Sequence, residues 1–524
     1  MAGTFTDSAT AVAVQVGVDR RRAAERGIHA SYVNLAASLV LSFVLTPVIL
    51  SALGARDYGL WAILNALSSY LLLADFGLGA AVTKYAAEYV ATARQGALNA
   101  LLSTVLLVFV CAGAVMLAAS FAVVWFVPGW FKIGPDGAAA ARVAFVLMVA
   151  SAGLGLITSV LANIICGYQR VDAAKMLATV LVVGNAVGVV ACTKTGLGLV
   201  GLSAVTVTTG LAGVVLYGGF IRTSGWGLRF SRRLADMGSL REVWPYSLRT
   251  LSLGLTSRVL YQTDSIVIGV FLGAQAVTPY AIAYRICFVA TYAFSQLSTG
   301  MFPTFARLWA LKERGELATK YLLITRMSMG VMMPIGIGLA LFGRSFINAW
   351  VGHDAVAGLS VLLILVAMDF VHAVGTPAGV LLQSTGRNKT FMYSEMANAL
   401  LNLSLSVFLV RKLGIAGVAL GTLIAHVCTS GWLVPVLACG NVGLKARVFI
   451  PRGLVPPVLA GVPALVVGSL ANRFWPEAGF LGIGVKALLV VAAYAPVYLS
   501  MSAAETERRY VRNALRFRSR NTGT

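Results

Sequence analysis

The sequence predicts an all-α polytopic membrane protein with about fourteen transmembrane helices, and three observations carry that prediction. Of the chain's 524 residues, 58% are hydrophobic and only 11% charged, and the mean hydropathy is +0.84. That leaves too little polar surface for a soluble globule of this size. The apolar residues fall into fourteen runs, each close to the ~20 residues a helix needs to cross a bilayer. The loops between them alternate between rich and poor in Lys and Arg, the pattern of a chain that crosses the membrane repeatedly.

In order, the predicted helices are 28–51, 58–82, 98–127, 142–166, 173–193, 198–221, 246–272, 278–308, 319–343, 357–384, 390–410, 413–438, 454–472 and 480–502. Residues 1–27 precede the first. Their cations follow the weakly apolar stretch 11–18 instead of preceding it, the reverse of a signal peptide, and a disordered tail is expected. A net charge of +22 would point to nucleic acid in a soluble chain, so the placement of the cations decides. Twenty-eight lie on the side of the two termini and eight on the other. By the positive-inside rule both termini are cytoplasmic and the protein sits in the cytoplasmic (inner) membrane, with no nucleic-acid partner. The basic tail 503–524 suits anionic headgroups and serves equally as an orientation signal. All nine Trp lie near helix ends, as interfacial anchors do. The six cysteines (Cys111, Cys166, Cys192, Cys287, Cys428 and Cys439) show no CxxC spacing, so no disulfide framework, metal or cofactor is expected.

An internal repeat divides the chain. The run Ala52-Leu53-Gly54-Ala55 recurs as Phe271-Leu272-Gly273-Ala274, an offset of 219 residues. Gln169-Arg170 pairs with Gly386-Arg387, Asn185 with Asn402, and Gly198-x-x-Gly201 with Gly414-x-x-Gly417, at offsets of 217, 217 and 216. Four matches in order argue for two six-helix halves. An even number of helices per half makes the repeat parallel, and two such lobes suit alternating access around a central cavity. The expected organisation is an N-terminal tail (1–27), an N-lobe (28–222), a basic cytoplasmic linker (223–245), a C-lobe (246–438), two additional helices (439–502) and a basic tail (503–524).

At this point a resemblance enters. The run 53–61 (LGARDYGLW), then Leu73-Ala74-Asp75-Phe76-Gly77-Leu78-Gly79 and Lys84-Tyr85-Ala86-Ala87-Glu88, resembles the N-terminal signature of bacterial polysaccharide (O-antigen type) flippases. These belong to the multidrug/oligosaccharidyl-lipid/polysaccharide exporter superfamily. Gly167-Tyr168-Gln169-Arg170 and the run 263–269 (TDSIVIG) resemble further stretches of the family, and the similarity covers roughly the first 440 residues. The resemblance implies movement of an undecaprenyl-pyrophosphate-linked oligosaccharide to the outer leaflet through a cationic cavity. It also implies polysaccharide polymerase and glycosyltransferases as partners beside membrane lipids.

Buried charge can be set beside it. An ionised side chain at the bilayer centre costs ~2.5–3.5 kcal/mol on insertion scales, so each needs a reason. The seventh predicted helix carries Arg258, Tyr261, Gln262 and Ser265 at helical spacing, and the eighth carries Arg285, Tyr292, Gln296 and Thr299. Guanidinium forks suit a pyrophosphate, and Tyr and Gln suit sugar hydroxyls. Substrate binding is therefore expected at Arg258, Gln262, Arg285, Tyr292 and Gln296; the competing reading pairs Arg258 with Asp264 as structural glue. Arg249 and Arg326 read as snorkelling side chains. Asp369 and His372 share a face of the tenth helix, with His426 and Glu395 at similar depth. Together with Asp264 they are candidates for proton or ion coupling, or for plain interhelical bonding. Asp75, before Gly77 and Gly79, reads as making a local backbone or an interhelical bond in preference to a transport role.

Catalysis is disfavoured, because the outer loops are short and no Walker A, HExxH or metal-ligand cluster occurs. The protein is read as a transporter and not an enzyme. A cation-coupled multidrug antiporter and a lipid II flippase are the alternatives within the superfamily; a membrane glycosyltransferase or polymerase is the alternative of another class.

Overall fold

The structure, a computed structural model, describes the backbone of residues 4–352, 359–475 and 479–501, and side chains from residue 25 onward except those at 249, 252, 253, 257 and 261. The basic tail 503–524 and the side chains of Arg249 and Tyr261 thus lie outside the described residues.

The described chain is helical throughout, with no strand. The first half holds α1 (Thr4–Leu71), α2 (Leu78–Ala91), α3 (Gln95–Val123), α4 (Val127–Trp130), α5 (Pro135–Gly167), α6 (Val171–Thr195) and α7 (Gly198–Thr223). Next come α8 (Met237–Leu272), α9 (Ala274–Gly300), α10 (Phe302–Ala310), α11 (Arg314–Val351), α12 (Leu359–Ser384), α13 (Asn388–Leu413) and α14 (Ile415–Cys428). A π-helical turn, Thr429–Leu433, leads into α15 (Val434–Val442). After α16 (Ala446–Phe449) and a second π turn, α17 (Val455–Phe474) and α18 (Phe480–Met501) end the described chain.

Among the described residues every predicted span falls mainly on helix, while the expected count of fourteen is not confirmed. Eleven helical stretches among the described residues are long and apolar enough to cross a membrane. The first two predicted spans fall in one stretch, Glu25–Asp75, that is broken by a kink at Gly54 (φ 74°, ψ 170°) between them, and α8 and α9, which carry the polar stripes, are not among the eleven. The expected disordered tail also needs correction. Helix begins at Thr4, where Gly17 is the one helix breaker before Gly27.

The predicted helix 58–82 is interrupted at residues 72–77. A 3₁₀ turn, Leu72–Asp75, ends at Phe76 in the left-handed region (φ 49°). The Gly77 amide then turns to Asp75 Oδ1 at 2.7 Å, so the aspartate takes a donor from the helix ladder. Gly77 (φ +73°) lies so close to α8 that an added Cβ would stand 2.2 Å from the Ser247 carbonyl oxygen.

By packing, the chain forms two compact units: Met1–Gln262 with Gly273–Gln275, and Thr263–Leu272 with Ala276–Thr524. The division falls within α8. Within the segment 223–245, expected as a basic linker, residues 224–236 are fastened to α3 inside the first unit. Gln95 Nε2 donates to the Trp226 carbonyl at 3.1 Å, and Asn99 Oδ1 accepts the Arg229 amide at 3.2 Å. Ser103 Oγ accepts the Ser231 amide, and Thr104 Oγ1 accepts the Asp236 amide at 2.9 Å. The Trp226 ring stacks on Tyr168 at 4.0 Å and 2°. Asp236 in turn accepts the Gly238 and Ser239 amides at the start of α8.

The repeat is written into the backbone. Residues with positive φ recur in pairs: Gly54 and Gly273, Ala93 and Lys312, Lys132 and Gly352, Gln169 and Gly386, Gly198 and Gly414, Gly225 and Gly443. Their offsets run from 216 to 220, and α3 and α11 begin 219 residues apart. Packing partners recur as well, α3 with α5 as α11 with α12, and α5 with α7 as α12 with α14. Within the second unit, α17 and α18 pack on α11, where Gly461 meets Met333 and Gly330 meets Tyr498.

Candidate functional site

Helix α9 separates two kinds of side chain cleanly. Tyr280, Ala283, Cys287, Ala290, Phe294 and Ser298 are buried on one arc. The opposite arc carries Tyr284, Arg285, Phe288, Tyr292, Gln296 and Thr299, all half-buried or exposed. The expected set Arg285, Tyr292 and Gln296 thus shares one accessible face. At ~100° per residue these six span little more than a third of a turn. An arginine on the face of a membrane helix is costly against lipid, so this arc belongs against water, substrate or other protein groups.

Arg258 and Gln262 lie on α8 in the first unit, both half-buried. The Arg258 side chain is engaged locally: its Nε donates to the Ser69 carbonyl at 3.0 Å, and Tyr70 Oη donates to the Arg258 carbonyl at 3.2 Å. These bonds tie α8 to the end of α1. Arg326 Nε likewise donates to the Arg452 carbonyl at 2.8 Å, a bond between helices where snorkelling was expected.

The second unit holds the acids and imidazoles. Asp264 is buried near the end of α8, and its Oδ2 accepts from Tyr280 Oη at 2.5 Å and Thr422 Oγ1 at 3.0 Å. Asp369 Oδ1, on α12, accepts from Thr291 Oγ1 at 2.5 Å. The other oxygen of each carboxyl is buried without a hydrogen-bond partner. A carboxyl so placed favours a proton or a cation over bare charge. His372, expected beside Asp369, meets His426 of α14: Nε2 of the first lies 3.1 Å from Nδ1 of the second. Asn398 Nδ2 lies 3.0 Å from the same Nδ1. Glu395 is half-buried one turn before Asn398 on α13.

Tyr280, Thr291, Thr422 and Asn398 were missed because buried neutral hydroxyls and amides leave no trace in hydropathy. Tyr284 and Phe288 had a usable signal, since with Tyr292 they repeat every four residues. Lys486, absent from the charge reading, is buried in α18 and donates to Asn472 Oδ1 at 3.2 Å.

A family model described as "Polysaccharide biosynthesis protein" matches residues 28–309. The chain is 27% identical over 207 residues to the teichuronic acid biosynthesis protein TuaB of Bacillus subtilis, a match covering 39% of this chain and 40% of that protein. It is 24% identical over 211 residues to "Probable low-salt glycan biosynthesis flippase Agl15" of Haloferax volcanii, over 40% and 44% of the two chains. The matched region thus spans less than half of either relative. Among solved structures, the lipid II flippase MurJ in an inward closed conformation aligns with a TM-score of 0.68 at 15% identity, over 92% of this chain and 99% of that one. An inward-facing MATE family multidrug resistance transporter aligns at 0.65 and 14%, over 79% and 98%. At such identities these two establish the fold.

Proposed function

This chain belongs to the polysaccharide biosynthesis protein family, and on that premise we propose that it flips a lipid-linked oligosaccharide across the cytoplasmic membrane by alternating access of its two repeats. The family match over 28–309 supports the glycan, and the flippase named among the relatives supports the movement. The observation in the structure that carries the reading is the accessible arc of α9, where Arg285 stands among Tyr292 and Gln296. A polyprenyl pyrophosphate must shed water to cross, and a fixed guanidinium offsets that loss by paired hydrogen bonds to phosphate oxygens. Tyr292 and Gln296 offer hydroxyl and amide groups to the sugars beyond it. Arg258 and Gln262, on α8 in the first unit, are a second cation and amide of the kinds this substrate needs. The buried Asp264, Asp369 and His372 are the groups able to take up a proton or cation as the cycle turns. Both termini are cytoplasmic in this reading. The chain itself performs no bond chemistry, and glycosyltransferases and a polymerase act before and after it.

The test is charge reversal. Arg285→Glu or Arg258→Glu should abolish surface glycan while the protein still inserts, with lipid-linked oligosaccharide accumulating on the inner leaflet. Arg285→Lys should retain part of the export, because the charge survives although the fork does not. Normal surface glycan in both Glu variants at wild-type protein levels would overturn the reading.

A further inference from the structure

The accessible arc of α9 holds more than polar groups. Tyr284, Phe288 and Tyr292 follow one another at four-residue spacing, and their rings form a ladder. Centroids lie 6.4 Å apart from Tyr284 to Phe288 and 6.4 Å from Phe288 to Tyr292, with interplanar angles of 32° and 45°. Tyr280 extends the ladder by a stacked ring at 6.1 Å and 11°, but it is buried and bonded to Asp264. Three rungs therefore remain on the accessible side, and Phe288, the middle one, is 44% exposed. Arg285 stands beside the first rung, and Gln296 and Thr299 continue past the last.

We infer that Tyr284, Phe288 and Tyr292 are a stacking rail for the sugar rings of the transported glycan. The inference rests on the flippase reading and adds to it how the sugars are held. A pyranose has one face of C–H groups bearing slight positive charge, and an aromatic face is the negative pole of its ring quadrupole. Stacking therefore holds a sugar with few directed hydrogen bonds, which lets it slide from one rung to the next. Base stacking on aromatic rungs gives single-stranded nucleic-acid channels the same tolerance of sequence. A purely lipid-facing arc would carry aliphatic side chains throughout and would not carry Arg285, Gln296 and Thr299. Those groups match the other parts of the same substrate, a guanidinium for the diphosphate and amide and hydroxyl for the sugar hydroxyls. The occupant is the oligosaccharide portion of a polyprenyl diphosphate, with its diphosphate at Arg285.

The experiment uses the purified full chain in lipid nanodiscs and two probes, a short-chain polyprenyl diphosphate bearing three hexoses and the same diphosphate without sugar. Wild type should bind the glycosylated probe at least tenfold more tightly than the bare one. Phe288→Ala/Tyr292→Ala should bring that ratio to within twofold of one while leaving the bare probe's Kd unchanged. Phe288→Trp, which keeps a ring at every rung and leaves Tyr292 and its hydroxyl in place, should retain the ratio. A wild-type ratio near one, an unchanged ratio in the double alanine variant, or loss of the ratio in the ring-preserving variant would each overturn the rail. Failure of the bare probe to bind at all would instead tell against the flippase reading, and so separates the two.

Discussion

His372 and His426 meet edge to face, their ring centroids 4.2 Å apart and their planes at 89°, with a ring nitrogen of each 3.1 Å from the other. Such a contact holds one N–H···N bond between two buried imidazoles and joins α12 to the last turn of α14, three residues before the π turn begins at Thr429. Gly375, one turn beyond His372, has no room for a side chain, because an added Cβ would lie 2.5 Å from the Ser430 carbonyl oxygen in that turn. The pair and the close approach thus fasten the same two elements.

Removing one imidazole deletes the hydrogen bond between two buried rings and the packing of the lost ring, a cost of order 1–3 kcal/mol, while His426 Nδ1 keeps Asn398 as a neighbour. His372→Ala and His426→Ala should each lower stability by that order, and the double variant by clearly less than their sum. The coupling energy should fall within the ~0.5–3 kcal/mol seen for residues sharing one hydrogen bond. Denaturant unfolding in mixed micelles measures it, and additive single effects would show that the two rings act separately.

Gly54 and Gly77 separate backbone strain from crowding. Both have positive φ (74° and 73°), but an added Cβ at Gly54 meets nothing within 4 Å, whereas at Gly77 it stands 2.2 Å from the Ser247 carbonyl oxygen. Gly54, at φ 74° and ψ 170°, lies in a region almost only glycine adopts, so Gly54→Ala should cost of order 1–3 kcal/mol through backbone strain alone. Gly77→Ala should cost well beyond that, since backbone must move away from backbone, and yield at the membrane should drop with it. Equal melting temperatures for the two variants would contradict the close approach of α2 to α8.

The strap 224–236 makes a prediction about proteolysis and pH. Arg229, Arg232 and Arg233 are exposed, yet the backbone around them is bonded to Asn99, Ser103 and Thr104. Asn99→Ala/Thr104→Val should therefore raise the rate of tryptic cleavage in this segment at least tenfold, read by fragment mass. The Gly238 and Ser239 amides hold the Asp236 carboxyl below its usual 3.8. A carboxyl with a lowered pKa supports the folded state above its ordinary value, and that support is lost only as pH falls through the lowered one. Protection of the strap should be flat from pH 8 to pH 5 and decline in more acid solution; a decline centred near neutrality would point to another group.

Much of the fold was legible because the bilayer imposes a coarse code. Apolar runs of the right length mark helices wherever they occur, and the repeat showed through Gly54 and Gly273, whose positive φ ties residue type to position. Ala93 with Lys312 and Gln169 with Gly386 repeat the same conformation with unlike side chains, so their kinship was legible only in the backbone. Charge marks 223–245 as a loop, whereas the hydrogen bonds from Asn99 and Thr104 that fasten it to α3 are invisible in composition. At the site, arginine and aspartate announce themselves by the cost of burying them. Which partner each one finds does not follow from spacing along one helix: His372 faced Asp369 on paper and meets His426 across helices.

The orientation of the whole chain rests on one asymmetry. Of the 41 Lys and Arg, those in short loops fall overwhelmingly on the side of the termini, and short-loop cations set topology because they resist translocation. Several cations counted on that side lie between the apolar spans: Arg229, Arg232 and Arg233 on the strap, and Lys312 between α10 and α11. Lys194 lies in the last turn of α6, at the far end of that helix from Lys175. Reporter fusions after Arg233 should therefore read as cytoplasmic and fusions after Thr195 as extracytoplasmic. A single cysteine placed at Gly196 should be labelled from outside intact cells by a membrane-impermeant maleimide, and one at Ser231 only after lysis. Reversal of both signals would invert the protein in the membrane, and with it the direction in which the substrate is carried.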